Sequence, residues 1–428
     1  MRDVVIVEGI RTPYAKAGTD FKDLPAQELG RIVVHEIIER SGIDPEIIDE
    51  VVIGNIAQPP EATNIARVIA LNSGIPRHVP AVTVARNCAS GMEAIANAHL
   101  KISAGLADVM VAGGVESMSN IPILYPPEYA EVLAEAAKAK SVGQRLSAFS
   151  HMRPKHFKPI IGLQVGLTDP VCDLNMGETA EVLAKEFHIT REEQDRFALL
   201  SHQRATWATD SGKLREEIIP VMPPPKYNTV VDEDNGIRKN QTMEALAKLK
   251  TVFDRDYGSV TAGNASQITD GAAAVLVMSA ERAKALGLKI MGKVRGYAFA
   301  GLDPARMGLG PSVSTPKALK LAGVSFKDIQ LIELNEAFAA QVIANEMVFR
   351  DRNLSQKWLG REEPIGEINR DILNVNGGAI ALGHPVGSSG TRLVLTLLKE
   401  MERRNLNLGL ATLCVGGGQG GAMVVERG

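Results

Sequence analysis

Short apolar runs bounded by Gly or Pro alternate along the chain with longer segments whose apolar residues recur at helical spacing. DVVIVEGIRTP (3–13) reads as a first strand, and KIMGKVRGYAF (289–299) matches it in type. VPAVTVARNCASGMEAIANAHLKISAG (79–105) reads as strand, turn and helix. Its residues 79–85 are apolar and partly β-branched; from Cys88 onward Met92, Ile95, His99 and Ile102 share one helical face. Asn87 is placed to cap that helix, with Cys88 in its first turn, and His99 reads as a core histidine. ILNVNGGAIALGHPVGSSGTRLVLTLLKEM (372–401) repeats the scheme of strand, glycine loop and helix. GETAEVLAKEFHITREEQDRFALLSHQRATWA (177–208) predicts helix broken near Ile189–Thr190, where Thr190 and Glu193 form a capping box.

The pattern occurs twice. SGIDPEIIDEVVIGN (41–55) has the shape of AGVSFKDIQLIELNE (322–336), and ADVMVAGGVE (107–116) resembles LATLCVGGGQ (410–419). The second of these strands runs directly into GAMVVERG (421–428); the counterpart of that segment in the first half, GAAAVLVMSAE (271–281), comes only about 150 residues later. The expected organisation is therefore a duplicated α/β body. One half is 1–117 with 251–280, the other is 281–428, and an insert, 118–250, lies over the active face. Strands alternating with helices predict mainly parallel, buried sheet with helices outside.

Composition narrows the class. At 428 residues, a prior of two or three domains applies. With 47 Lys+Arg against 50 Asp+Glu there is no basic surplus for a general nucleic-acid binder. No apolar stretch approaches the roughly 18 residues of a membrane span, and the N-terminal apolar run is too short for a secretory signal. Three scattered cysteines suit neither a disulfide framework nor a metal site, so a reducing, cytoplasmic setting is expected.

The candidate chemistry sits where strands end. A thiol at Cys88 in a first helical turn would feel the positive helix end, which lowers its pKa and favours a nucleophile; a lone cysteine is more often a small buried residue. His384, between Gly383 and Pro385, holds the equivalent place in the second repeat, and a His beside a Cys makes a thiolate by proton transfer. Cys414 ends a strand before five glycines, where it would exchange protons, and the Gly416 N–H would face an oxyanion. Asn335 and Glu336 end another buried strand. The duplication puts all of these on one face.

NCASGMEA around Cys88, NEAFA at 335–339, GGAIALGHPVGSSG at 377–390 and LCVGGGQGGA at 413–422 resemble the motifs of the thiolase family over nearly the whole chain. The resemblance implies a layered α-β-α-β-α body with an inserted loop domain. It implies thiolytic cleavage of a 3-ketoacyl-CoA through an acyl-enzyme on Cys88, activated by His384, with Cys414 as acid and base. One oxyanion hole would be His384 Nε2 with a water held by Asn335, the other the N–H groups of Cys88 and Gly416. Ser266, in SVTAGNASQITDGAAA (259–274), matches the position that meets pantetheine, and 237–253 resembles the insert near the CoA adenine. CoA enters as co-substrate, with no metal or nicotinamide. The resemblance further implies a homodimer or homotetramer. The insert over 141–181 looks most like the thiolase subunit of the fatty-acid β-oxidation complex, with its hydratase/dehydrogenase partner. That subunit usually has His where Asn335 stands, and Asn175 replaces the His that often precedes Met-Gly in acetoacetyl-specific members. HFKPIIGLQVG (156–166), basic and then apolar, suits a membrane or a partner subunit, or is an exposed loop. The expected activity is degradative; the alternatives are an acetyl-CoA C-acetyltransferase run toward condensation and a non-catalytic lipid carrier of the same fold.

Overall fold

The computed structural model describes residues 2–428. The first repeat supplies β1 (Val4–Arg11), β2 (Glu50–Gly54), β3 (Ala81–Val84), β4 (Val109–Ser117) and β5 (Thr269–Ser279). They lie in the order β3-β2-β4-β5-β1. The second supplies β6 (Gly292–Gly301), β7 (Leu331–Leu334), β8 (Leu408–Val415) and β9 (Gln419–Arg427), in the order β7-β8-β9-β6. A parallel bridge from Ile332 to Leu373 stands where β3 stands in the first half. The halves join edge to edge where Val5 pairs with Lys293 and Ile6 with Gly292. The result, with the short strand Ala15–Lys16, is one ten-stranded sheet.

The sheet is mixed rather than mainly parallel. β2 runs parallel to β3 and β4, and β7 parallel to β8. The strand that follows the glycines runs back antiparallel in each half, β5 on β4 and β9 on β8. In the second half that return is a hairpin closed by Val415 and Gln419, and a hairpin cannot give a parallel neighbour.

Alternation along the strands separates the layers. Val109, Val111 and Val115 of β4 pack in one cluster with Val33 and Ile37 of α1 (Ala26–Ser41). Met110 and Ala112 turn to a second cluster with Ile95 and Ile102 of α2 (Ser90–Ser103). Two further helices, α3 (Met176–Glu186) and α4 (Arg191–Asp210), start at capping boxes, Asn175 with Glu178 and Thr190 with Glu193. In β9, Ala422 and Val424 pack with Leu319 of α5 (Gly310–Ala322) and Val342 of α6 (Ala339–Arg350). Met423 and Val425 instead share the α2 cluster with Leu393 and Leu397 of α7 (Val386–Arg404). Helices α2 and α7 thus form the middle of five layers.

Glycines let α7 come close to both β4 and α2. A Cβ on Gly114 would lie 1.9 Å from the Gly387 carbonyl oxygen, and one on Gly91 2.8 Å from the Thr391 nitrogen. Both separations are below any real contact, so backbone itself is the packing surface here.

Residues 121–168 form a compact unit separate from the rest, which comprises the chain up to Asn120 and Asp169–Gly428. That small unit holds helices Pro127–Lys138 and Val142–Ser150 and a strand pair, Ile123–Leu124 with Ile160–Ile161. Tyr125 stacks on Tyr129, whose ring meets the edge of Phe157. Residues 169–250, which the sequence pattern groups with the insert, cluster with the sheet body through α3 and α4. Among the described residues no helix is long and apolar enough to cross a membrane.

Candidate active site

Cys88 lies in the turn between β3 and α2. The helix begins at Ser90 with Ala89 as its N-cap, so Cys88 precedes the first turn that the sequence assigns to it. Asn87 is no cap either: it sits at φ 42°, in the left-handed region that Asn tolerates better than most residues, and its side chain points away from the helix. Ser90 holds the turn instead, its Oγ accepting from the Arg86 N–H at 2.8 Å and donating to the Asn87 carbonyl at 2.7 Å. The thiol pKa is raised, not lowered. Burial pushes it up, and the Glu116 charge adds to that; the backbone N–H groups of Gly416 and of Cys88 itself work the other way.

Cys414 ends β8 and is buried. Burial raises its thiol pKa, and the neighbouring Cys88 raises it further. Gly416 is held at its carbonyl by Asn87 Nδ2, which donates to it at 2.7 Å.

His384 precedes α7. Its Nδ1 is 2.5 Å from Ser389 Oγ, and that hydroxyl is 3.0 Å from the Pro385 carbonyl. The carbonyl can only accept, so it takes the hydroxyl proton and Ser389 accepts from Nδ1–H. This network assigns the tautomer with a lone pair on Nε2. Burial and the nearby Arg392 charge hold the imidazole down to about 4, so the ring is neutral and basic at Nε2 near pH 7. Asn335 Nδ2 stands 3.4 Å from Nε2, while Asn335 Oδ1 is buried with no protein partner. An orphaned acceptor in a buried site is where water or a substrate group is needed.

Two connections close the group. The segment after Ala265 bridges the second-half loops: the Ser266 N–H donates to the Ala337 carbonyl, and the Gln267 carbonyl accepts from the His384 N–H at 3.1 Å. Glu116, at the end of β4, accepts from the N–H groups of Ile56, Ala57 and Gly387 and from Asn55 Nδ2. Its burial pushes the carboxyl up to about 7. Glu116 thus ties the first turn of α7, three residues after His384, to the neighbourhood of Cys88.

Residues 4–281 match the model of the thiolase N-terminal domain, and 288–427 that of the thiolase C-terminal domain. This chain belongs to the thiolase family. Among its relatives, the 3-ketoacyl-CoA thiolase of Pseudoalteromonas translucida is 46% identical over 424 residues, covering 99% of this chain and 96% of the relative. That of Yersinia pseudotuberculosis is 45% identical with the same coverage. The crystal structure of the Bacillus anthracis acetyl-CoA acetyltransferase superposes with a TM-score of 0.87 at 38% identity, covering 100% of this chain and 99% of that one. Human mitochondrial 3-ketoacyl-CoA thiolase gives 0.86 at 35% identity over 100% and 99% of the two chains, and its complex with CoA gives 0.85 at 35% over 100% and 98%.

In this thiolase, all the candidate positions come from the four motifs and the segment around Ser266; the structure brings Cys88 beside Cys414 and His384 beside Asn335, and runs the Ser266 segment along Ala337 and His384. Sequence reasoning missed the residues that hold them. Ser389 sits inside GSSG and its partner is one helical turn away, a readable signal. Glu116 ends VAGGVE as an acid at a strand tip, also readable. Arg392 reads as an ordinary helix residue, yet it is buried and paired with Glu333 at 2.7 Å.

Proposed function

We propose that this chain cleaves 3-ketoacyl-CoA with CoA, giving acetyl-CoA and a shortened acyl-CoA, in the degradative direction of fatty-acid β-oxidation. Cys88 is the nucleophile. His384 Nε2 takes the thiol proton as the sulfur attacks the 3-keto carbon, whose oxyanion faces the N–H groups of Cys88 and Gly416, while the protonated ring, with a water held by Asn335, faces the oxygen of the departing enolate. The bond between C2 and C3 then breaks. Its electron pair leaves on the acetyl-CoA enolate, which takes the Cys414 proton at C2. The acyl group stays on Cys88 as a thioester. The Cys414 thiolate deprotonates incoming CoA, whose sulfur attacks the thioester while the N–H groups of Cys88 and Gly416 face the oxyanion. Cys88 leaves and recovers its proton from His384.

The raised thiol and the depressed imidazole support neutral partners at rest, so that the ion pair forms during attack. On this reading Ser266 meets the pantetheine arm. CoA serves as co-substrate, and each step balances without metal or nicotinamide. The working unit on this reading is a cytoplasmic homo-oligomer.

The observation that carries the reading is the pairing of Cys88 with Cys414 and of His384 with Asn335 in a chain 45–46% identical to 3-ketoacyl-CoA thiolases over 99% of its length. The acetyltransferase reading draws support from the likeness to the Bacillus anthracis structure. CoA-dependent cleavage of 3-ketoacyl-CoA substrates from four to sixteen carbons, followed by loss of enolate absorbance, separates the two. A rate that rises with chain length is expected. Activity on acetoacetyl-CoA alone moves the assignment to the acetyltransferase, and no cleavage at any length with CoA still bound leaves a carrier.

A further inference from the structure

Two loops from opposite halves of the molecule meet at the reactive sulfur: the 86–88 turn of the first repeat and the 414–419 turn of the second. Two side-chain bonds hold them together. Arg86 Nη1 reaches Gln419 Oε1 at 3.0 Å, with its guanidinium also bonded to Glu93 and lying 4.2 Å over the Phe299 ring. Asn87 Nδ2 reaches the Gly416 carbonyl at 2.7 Å. Of the two, only Asn87 bonds to the residue whose N–H meets Cys88.

We infer that Asn87 is a positioning residue for the acyl-enzyme half of the reaction: it holds the Gly416 N–H in place when the Cys88 sulfur is no longer there to hold it. At rest, Asn87 already holds the Gly416 carbonyl. Once Cys88 carries an acyl group, the Gly416 N–H turns from the sulfur to the thioester oxygen, and the Asn87 bond is the fixed anchor that remains. Gly417 and Gly418, at φ 85° and 73°, give the loop no side-chain packing of their own to replace it. A donor that must face a developing oxyanion works only if it is already aimed, because a displacement of about 1 Å can cost on the order of 100-fold in rate. The residue type fits both demands of the position. Asn tolerates the φ of 42° that delivers Cys88, and its amide is a donor aimed at a carbonyl, which Asp could not replace. The proposal rests on the thiolytic reading only for its kinetic consequence; the claim that Asn87 holds Gly416 in place stands on the 2.7 Å bond between them.

The test uses the full chain with Asn87→Gly, which suits the backbone and removes the donor, and Asn87→Asp, which keeps the size and turns an acceptor toward the Gly416 carbonyl. Cys88 alkylation by iodoacetamide across pH reads the first claim. Loss of the Gly416 N–H from the sulfur moves the profile to higher pH in both variants. Intact mass after mixing with acetoacetyl-CoA, followed by a chase with CoA, reads the second. Both variants form the acyl-enzyme and clear it about 10- to 100-fold more slowly than the parent. The melting temperature of Asn87→Gly stays near the parent's because the Arg86–Gln419 bond still ties the loops; should it melt early, Asn87→Asp carries the test. Parental alkylation profiles and parental clearance would overturn the inference. If the parent forms no acyl-enzyme, the thiolytic reading fails and the alkylation profiles alone decide the role of Asn87.

Discussion

A cysteine before a helix invites the expectation of a lowered thiol pKa, but Cys88 lies outside the first turn and within reach of the Glu116 carboxylate, and its proton is held more tightly than in water. Alkylation of the parent protein should therefore rise with pH through a midpoint above the roughly 8.5 of a free thiol. A midpoint below 7 would contradict it. Cys88→Ala abolishes acyl-enzyme formation and leaves CoA binding, checked by intact mass and by a CoA titration. Ser389→Ala removes the acceptor that fixes the His384 tautomer. We expect kcat to fall about 10- to 100-fold with KM unchanged, since general-base catalysis is worth about 10²–10⁴ and the ring itself remains; unchanged kcat would show that the tautomer needs no fixing. The candidate residues stand out in the sequence because their types are rare at strand ends. Those that tune them are less legible, since Glu116 acts through Gly387, 271 positions away, and nothing local marks that pairing.

At the level of elements, the repeat was readable because both copies keep the same order of apolar runs and glycines. Strand direction was not, since a buried strand has the same composition whichever way it runs. The start of α2 was misplaced by two residues because its cap is Ala89, with Ser90 bonding backward to Arg86 and Asn87, and no side chain announces that. Many of the glycines are packing surface. A Cβ on Gly387 would stand 2.5 Å from the Val115 carbonyl oxygen and 2.9 Å from that of Gly54. Gly387→Ala should destabilise by about 1–3 kcal/mol through overpacking and should also lower kcat, because the shift begins three residues from His384. Gly42→Ala is the comparison. Gly42 caps α1 at φ 63° with open space around it, so this change costs stability, about 1 kcal/mol, and leaves activity intact. Melting curves and cleavage rates for the pair separate close packing from backbone strain.

Across the whole molecule, buried charge ties distant segments together. Glu400 near the end of α7 accepts from Arg404 and Lys213 on one oxygen and from Arg403 and Asn376 on the other. Burial alone would raise its pKa, but these partners outweigh it and bring the group to about 2. A carboxylate depressed on folding stabilises at pH values above its unfolded pKa, about 4.3, and that contribution is lost as pH falls from there toward 2. Glu400→Gln should therefore melt below the parent at pH 7, and the gap should close between about pH 4 and pH 2. A gap that stays constant with pH would place the role of Glu400 in packing instead.

The position of β5 has a consequence for how the chain is made. This strand is buried along its whole length between β4 and β1, yet it is separated from β4 by about 150 residues of later sequence. On a ribosome adding about 5–20 residues per second, that interval lasts roughly 8–30 s. Throughout it, β1 and β4 have been synthesised with their shared neighbour still missing and two apolar edges unpaired, the condition in which nascent chains aggregate. The second repeat escapes this, because β9 follows β8 after a three-residue turn. The half that carries Cys88 is thus the half whose sheet waits for its middle strand, and the nascent chain needs protection until Ser279 has emerged.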